Sequence, residues 1–548
     1  MSLPKKSKNF KVKTLVVILV LIIGIFLSFQ YFLVQQLQNQ FQDLINAKED
    51  RSYDIRYQSI GFDLLNTQVT MEDITIVPIN VDSTAPNAIR GEVGSARLNG
   101  FGIVEFLTNK VVSINELKFE EPKFTIVHSR REQTAKSSTS LQDLFKDVIS
   151  RGEIKNFTLT GGEATIFLRN DTLRQIGHFE DFYVQATNLF TDTVRMNYAI
   201  PFQFDDLHTA FRNLEFEIKE GEILKLDHFD FDFQEQSLML EGLSLSHDKD
   251  WTSVAREQDY QKDIIDFSIK TIDISRLSPL STFYNSLVFI SDHVLIDSLV
   301  LNDGRDKNIP RPPDEIKRNY TAIIKSIDVP IRIDTLEIIN SRVKYSEIND
   351  GSRAVGSINL TDLNCSLFNL SSIDSVEMNA PYRMELTALI NGAGKVQLRA
   401  IEDYNTLNVN GELSIGPMDM KALNPTLINM AGVEVMNGKL NSLRVQMKWD
   451  KEGSKNKFII DYEDLDVEVL KKNSRNKDKF LTKLGRAAYH ESHTKGDKHY
   501  KEPEYYSYRN LYRGPFNFLW LNIKDGVFQT VPKGLARKFV PTSKKKKK

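Results

Sequence analysis

The sequence predicts a mostly β protein: one N-terminal transmembrane helix, then an elongated antiparallel sheet with a few short capping helices. Three observations predict it. Residues 14–34 are almost wholly apolar and contain no charge. Long stretches after them alternate apolar and polar residues with period two, as a strand with one dry face does. One spacing recurs, with apolar residues at relative positions 0, 3, 5, 10 and 12 and a turn-like break between 5 and 10.

The anchor comes first in the chain. Leu15-Val-Val-Ile-Leu-Val-Leu-Ile-Ile-Gly-Ile-Phe-Leu27 lies inside a run long enough for the roughly 20 apolar residues that a crossing helix requires. Lys5, Lys6, Lys8, Lys11 and Lys13 precede it, and residues 35–42 carry no charge. The positive-inside rule therefore places the N-terminus in the cytoplasm and the bulk of the chain across the membrane. The run is long for a signal peptide and ends in Gln30-Tyr-Phe-Leu-Val34 rather than at a small-residue cleavage site, so the anchor is expected to be retained. The implied organisation is a basic cytoplasmic segment (1–13), the anchor (14–34), a juxtamembrane linker (35–50), a β region (51–470), a helical and polar loop segment (471–510), C-terminal strands (511–534) and a basic tail (535–548).

The repeated spacing defines the β region. Ile114, Leu117, Phe119, Phe124 and Ile126 fit it, as do Ile154, Phe157, Leu159, Ala164 and Ile166. Ile333, Leu336, Ile338, Val343 and Tyr345 fit it again, and Ile296, Leu299 and Leu301 supply its first half. The breaks fall at Pro122, Gly161-Gly162 and Asn340-Ser341 and read as a turn or bulge between antiparallel strands. Repetition favours an extended array over a single globule. Helical spacing is confined to residues 141–149, 314–327, 424–431 and 479–489, each read as a cap or lid on a sheet.

Composition excludes several function classes. The formal net charge of −2 argues against nucleic acid as the main partner. The only cysteine, Cys365, alternates with Leu363 and Leu367 and reads as a buried small hydrophobe, so the exported region folds without an internal disulfide. There is no phosphate-binding glycine loop, no G-x-S-x-G elbow and no H-E-x-x-H. His490, Glu491, His493 and His499 have the side chains of a zinc site, but a polar loop with no cysteine reads more simply as solvated. Asp205-Asp206 beside His208 matches no acid–base spacing. The expectation is therefore no enzyme, no metal and no cofactor. The terminal Lys544–Lys548 block reads as a solvated tail, or as a contact with anionic lipid at about 1 kcal/mol per basic residue.

Some stretches resemble a known family. Gly411-Glu-Leu-Ser-Ile-Gly-Pro-Met-Asp-Met-Lys-Ala-Leu-Asn-Pro425 followed by Met436-Asn-Gly-Lys-Leu-Asn-Ser-Leu443 is similar to the C-terminal core of AsmA-like envelope proteins. Ile333-Asp-Thr-Leu-Glu-Ile-Ile-Asn-Ser-Arg-Val-Lys-Tyr345, Gly356-Ser-Ile-Asn-Leu360 and Phe516-Asn-Phe-Leu-Trp-Leu-Asn-Ile-Lys-Asp-Gly526 resemble a branch of that family with unassigned function. The likeness, taken with the anchor, covers most of the chain and is weakest over 131–320. It implies an inner-membrane protein with its bulk in the periplasm, folded as a taco-like β-groove that binds or transfers a phospholipid or other envelope lipid and supports outer-membrane lipid homeostasis. The alternative is a non-enzymatic assembly or scaffold factor for outer-membrane biogenesis, working with outer-membrane or periplasmic proteins. The candidate lining residues are Leu117, Phe119, Phe124, Ile126, Phe157, Leu159, Leu336 and Ile338.

Overall fold

The computed structural model describes residues 53–63, 66–79, 87–102, 112–129, 152–169, 172–191, 202–278, 288–318, 320–327, 330–352, 354–373, 380–406, 408–470 and 489–533, with scattered residues between 18 and 38. Much of the expected anchor, the helical spacing at 141–149 and nearly all of that at 479–489 lie outside these residues. Among the described residues no helix is long and apolar enough to cross a membrane.

The structure is mostly β, and among the described residues 22 strands form a mixed sheet. It divides into two compact units, with the boundary inside the eighth and ninth strands. The first unit contains β1 (Tyr53–Arg56), β2 (Ser59–Asp63), β3 (Gln68–Pro78), β4 (Asn87–Asn99), β5 (Val112–Ser129), β6 (Gly152–Arg169), β7 (Leu173–Thr191) and most of β8 (Asp206–Lys219). Most of β9 (Glu222–Asp232) belongs to the second unit. There it is followed by β10 (Ser237–His247), β11 (Ile264–Ser275), β12 (Phe289–Asp297), β13 (Val300–Asp306), β14 (Ile331–Ile348), β15 (Val355–Ser371), β16 (Tyr382–Ile390), β17 (Gly394–Glu402), β18 (Val409–Ile415), β19 (Met418–Asp419), β20 (Val433–Trp449), β21 (Gly453–Val469) and β22 (Glu504–Tyr508).

The sheet is not wholly antiparallel, as the alternation had led us to expect. β5 and β6 run parallel over their whole length, and β14 runs parallel to both β12 and β13. Parallel neighbours need a crossover of a dozen residues or more. The intervals 130–151 and 307–330 are long enough to supply one.

Nor does the repeated break end a strand. β5, β6 and β14 each run through it for 18 residues. At the break a single residue takes left-handed φ: Asp73 in β3, Glu121 in β5, Gly161 in β6, Asp181 in β7, Asn340 in β14, Asp362 in β15 and Asp464 in β21. A left-handed residue inside a strand interrupts the pleat and moves the alternation by one position, while the β3–β4, β4–β5 and β5–β6 ladders keep their register across it. Apolar residues at odd positions before it and even positions after it then share a face. The odd gap between positions 5 and 10 of the repeat has this cause. Asp, Asn and Gly dominate these positions because they tolerate the left-handed region best.

The bends line up across neighbouring strands. Pairs Glu72–Ser95 and Ile74–Val93 bracket Asp73, and pairs Ser95–Glu120 and Val93–Pro122 bracket Glu121. Pairs Glu120–Thr160 and Lys123–Glu163 then set Glu121 beside Gly161. In the second unit β12 and β13 act as one strand broken at left-handed Ser298, which donates its N–H to Ile339 O at 3.0 Å. Asn340 beside it donates Nδ2 to Asp297 Oδ1 at 2.9 Å and its N–H to Asn364 Oδ1 at 3.2 Å.

Four α-helices have described ends, all in the second unit: α1 (Trp251–Arg256), α2 (Tyr320–Ile324), α3 (Asn424–Ala431) and α4 (Pro515–Thr530). α3 agrees with the sequence reading and stops at Gly432, φ 67°. Its polar side chains stitch it to strand ends: Thr426 Oγ1 donates to Ser357 O at 2.7 Å and Asn429 Nδ2 to Val355 O at 2.7 Å. The helix expected over 314–327 shrinks to α2, because the backbone before it bonds elsewhere. Lys317 N–H donates to Leu511 O at 2.8 Å, and Arg509 Nη2 donates to Lys317 O at 2.7 Å.

α4 is a correction to the strands expected over 511–534. Pro515 at its first turn presets helical φ, and its buried residues, Pro515, Phe518, Asn522, Asp525, Gly526 and Thr530, recur at helical spacing. A Cβ at Gly526 would lie 2.3 Å from the Phe458 ring and 2.6 Å from Tyr505 Oη, so glycine is what lets the helix seat on β21. Beneath α4, Asn456 Nδ2 donates to Asn522 Oδ1 and to Ser507 Oγ, both at 3.2 Å, and Ser507 Oγ donates to Asp525 Oδ2 at 2.8 Å.

Candidate functional site

Six of the eight candidate residues meet on β5 and β6. Leu117 stands opposite Phe157 and Phe119 opposite Leu159; beyond the bend, Phe124 faces Ala164 and Ile126 faces Ile166. The Phe119 and Phe157 rings meet edge to face at 6.0 Å. Leu117 belongs to a core with Val69, Leu98, Phe101, Ile114 and Ile154, against which Phe119 and Phe157 pack. Phe119 also packs on Ile74, Val93 and Ala96, together with Ile76. A Cβ on Gly91 would touch both Phe124 and Ile76, so Phe124, beyond the bend, shares the apolar face with Phe119.

Burial divides the face. Leu117 and Leu159 are each 8% exposed and are core residues. Phe119, Phe124, Ile126 and Phe157 are only partly buried. The remaining two candidates, Leu336 and Ile338, lie on β14 in the second unit. They stand between Val294 and Ile296 of β12 and Leu367 and Cys365 of β15, also partly buried. The eight therefore fall in two sets, one in each unit. Cys365 is itself buried, and that burial pushes its thiol up to about 11, so it packs as a hydrophobe and is a poor nucleophile at neutral pH.

The histidine cluster is structural in its geometry. His493 is fully buried; its Nδ1 donates to Ile460 O at 2.8 Å and its Nε2 accepts the Lys501 N–H at 3.2 Å. Both ring nitrogens are thereby used, in the neutral tautomer. His499 Nε2 donates to Ser492 O at 2.7 Å, and its ring stacks on His490 with centroids 3.7 Å apart. Burial, and then the neighbouring His499, hold His490 down at about 4. Among the described residues no group of three or more His, Cys, Asp or Glu side chains has the geometry of a metal site. Asp205 and His208 do not pair: Asp205 Oδ2 accepts from Asn188 Nδ2 at 2.7 Å, while His208 Nε2 lies 3.1 Å from Asp230 Oδ2.

The reading of motifs missed Asp303 on β13. Its Oδ1 is buried with no hydrogen-bond partner. Burial, and then the nearby Asp263 carboxylate, push Asp303 up to about 7, against the pull of Arg305. Arg305 is committed to Asp263 through two bonds, Nε to Oδ1 at 2.6 Å and Nη2 to Oδ2 at 2.5 Å. Asp303 can therefore hold or release a proton near neutrality. No sequence spacing marks it, since it reads as an ordinary acidic residue in a strand.

No family model matches the chain, and no curated protein matches it.

Proposed function

We propose that this chain is a non-enzymatic, membrane-anchored protein that binds or transfers lipid along the one-sided apolar surface of its sheet. The observation that carries the proposal is the face built on β5 and β6: bends in register keep Phe119, Phe124, Ile126 and Phe157 on one side, and these large apolar side chains stay partly exposed. A contiguous apolar surface open to solvent marks a binding surface. An acyl chain asks for nothing else, since each buried methylene contributes about 0.8 kcal/mol without a polar contact. Ile18, Val20, Leu21, Ile22, Ile23 and Ile25, within the expected anchor, are helical and about half or more exposed, which suits a lipid-facing segment. The resemblance to AsmA-like proteins supports the same reading and adds an inner-membrane location, a periplasmic bulk and a groove-shaped sheet.

The test is native mass spectrometry with lipid extraction on the full chain, purified from its own membranes in mild detergent. Bound phospholipid that falls away in Phe124→Asp and Ile126→Asp, with unfolding still cooperative and its midpoint lowered by only a few degrees, is the expected result. A lipid-free chain under the same conditions would sink the proposal and favour a scaffold that docks proteins.

A further inference from the structure

The outer face of α4 presents Phe516 and Trp520, 71% and 54% exposed, one helical turn apart. It continues into the loop before α2. Phe516 packs edge to face on Tyr320 at 5.7 Å, and Ile316, Ile323 and Pro515 line a shallow cleft with Arg318 and with Lys317, which pairs with Glu315 at 2.6 Å. Ile316 is 66% exposed and Ile323 46%. Surface side chains this large and apolar, gathered in one place, call for an occupant.

Charge says which occupant. α4 has two charged residues, Lys524 and Asp525. Asp525 is buried against Ser507, so Lys524 supplies the charge of the outer face. After α4 the sequence continues through Lys533, Arg537, Lys538 and Lys544–Lys548 without one Asp or Glu. Phe and Trp beside Lys and Arg are the composition of an element that lies in a bilayer interface, with rings at headgroup depth and cations on the phosphates. Each basic residue near an anionic leaflet adds about 1 kcal/mol. A second copy of the chain would bring the same cations against these, which disfavours self-association.

We propose that the outer face of α4, with Ile316 and α2 beside it, docks on the surface of an anionic lipid bilayer. This contact is distinct from the N-terminal apolar segment and does not require that the sheet bind lipid.

Tryptophan emission tests it. The full chain is held in phosphatidylcholine nanodiscs and mixed with vesicles of brominated phosphatidylglycerol and phosphatidylcholine. The expected result is vesicle capture with quenching of a component that is missing in Trp520→Phe. Phe516→Ser and Lys524→Glu should each weaken capture at least about tenfold, while Phe124→Asp on the sheet leaves it unchanged. Phe516 is largely exposed and Lys524 partly so, so unchanged near-ultraviolet circular dichroism verifies the fold of the variants. Equal capture by wild type and Phe516→Ser, equal capture by purely neutral vesicles, or no Trp520 quenching would each overturn the proposal. So would a dimer or a complex with an acidic protein that Phe516→Ser dissolves while vesicles go uncaptured.

Discussion

Glu121 of β5 and Gly161 of β6 stand side by side across a parallel ladder, both in the left-handed region at φ 52° and 66°. A Cβ on Gly161 would meet Glu121 Cγ at 3.6 Å, an ordinary contact, so packing leaves room there for a side chain. The demand at this point is on the backbone alone. Without the left-handed residue in both strands, Phe124 and Ala164 would turn to the polar face while Phe119 and Leu159 stayed on the apolar one.

This separates backbone strain from crowding. Gly161→Ala should cost about 1–2 kcal/mol, the penalty of left-handed φ for a residue with a Cβ. Glu121→Gly should be neutral or stabilise by up to about 1 kcal/mol, because it relieves the same strain while freeing the unfolded chain. Urea unfolding of the two variants checks both signs. A Gly161→Ala chain as stable as wild type would mean that the bend is not needed.

The period-two alternation made the strands legible, but it did not say which apolar residues would be core, as Leu117 is, and which would stay partly exposed, as Ile338 does. The bends were half legible. Gly161-Gly162 and Asn340-Ser341 mark them, but a left-handed bend within a strand and a turn between strands leave the same trace in a pattern of apolar positions, and only the ladder tells them apart. Parallel pairing of β5 with β6 was illegible, because direction depends on the crossover and not on the strand. α4 was misread because Phe516, Phe518 and Trp520 alternate as a strand does. The helical spacing of its inner face runs through Asn522, Asp525 and Gly526, which apolar periodicity ignores. Asp303 was invisible, since its proton affinity comes from burial by distant parts of the chain.

Asp303 should set an unusual pH dependence. Its folded proton affinity, near pH 7, lies above the ordinary value of 3.8. Below about pH 4 both folded and unfolded forms are protonated and the group costs nothing. Between pH 4 and 7 the unfolded chain loses its proton first, so stability falls as pH rises through that window. The group is partly solvated, which reduces the nominal effect to about 1–2 kcal/mol. Asp303→Asn should stabilise the protein by that amount at pH 8 and leave it unchanged at pH 3.5. Thermal unfolding at the two values decides, and equal shifts at both would show that the carboxyl is not titrating.

His490 and His493 act with the opposite sign. Burial leads the lowering of both, to about 4 for His490. Below about pH 6.5 the unfolded chain takes up protons that the folded rings refuse, so stability falls on acidification from 6.5 towards 4. His490→Gln should flatten that slope. Zinc and chelator should leave the unfolding temperature unmoved, because the bonds of His493 already occupy both of its nitrogens. A stoichiometric zinc-dependent rise would contradict this account of the cluster.

Phe119 and Phe124 share β5 and one apolar face, yet they should answer differently to mutation. Phe119 joins two packed clusters, one around Leu117 and one around Ile74. Phe124 lies beyond the bend, where its close neighbours include Gly91 and Ile76. Removing the Phe119 ring empties space between side chains that cannot all relax, so Phe119→Ala should cost about 2–4 kcal/mol, towards the range of a core phenylalanine. Phe124→Ala should cost about 1 kcal/mol, the loss of a partly buried ring. A charge at Phe119 would therefore report on folding, and a charge at Phe124 on whatever the face binds. Calorimetry on the two alanine variants tests the ranking, and the reverse order would move the core of this unit to the far side of the bend.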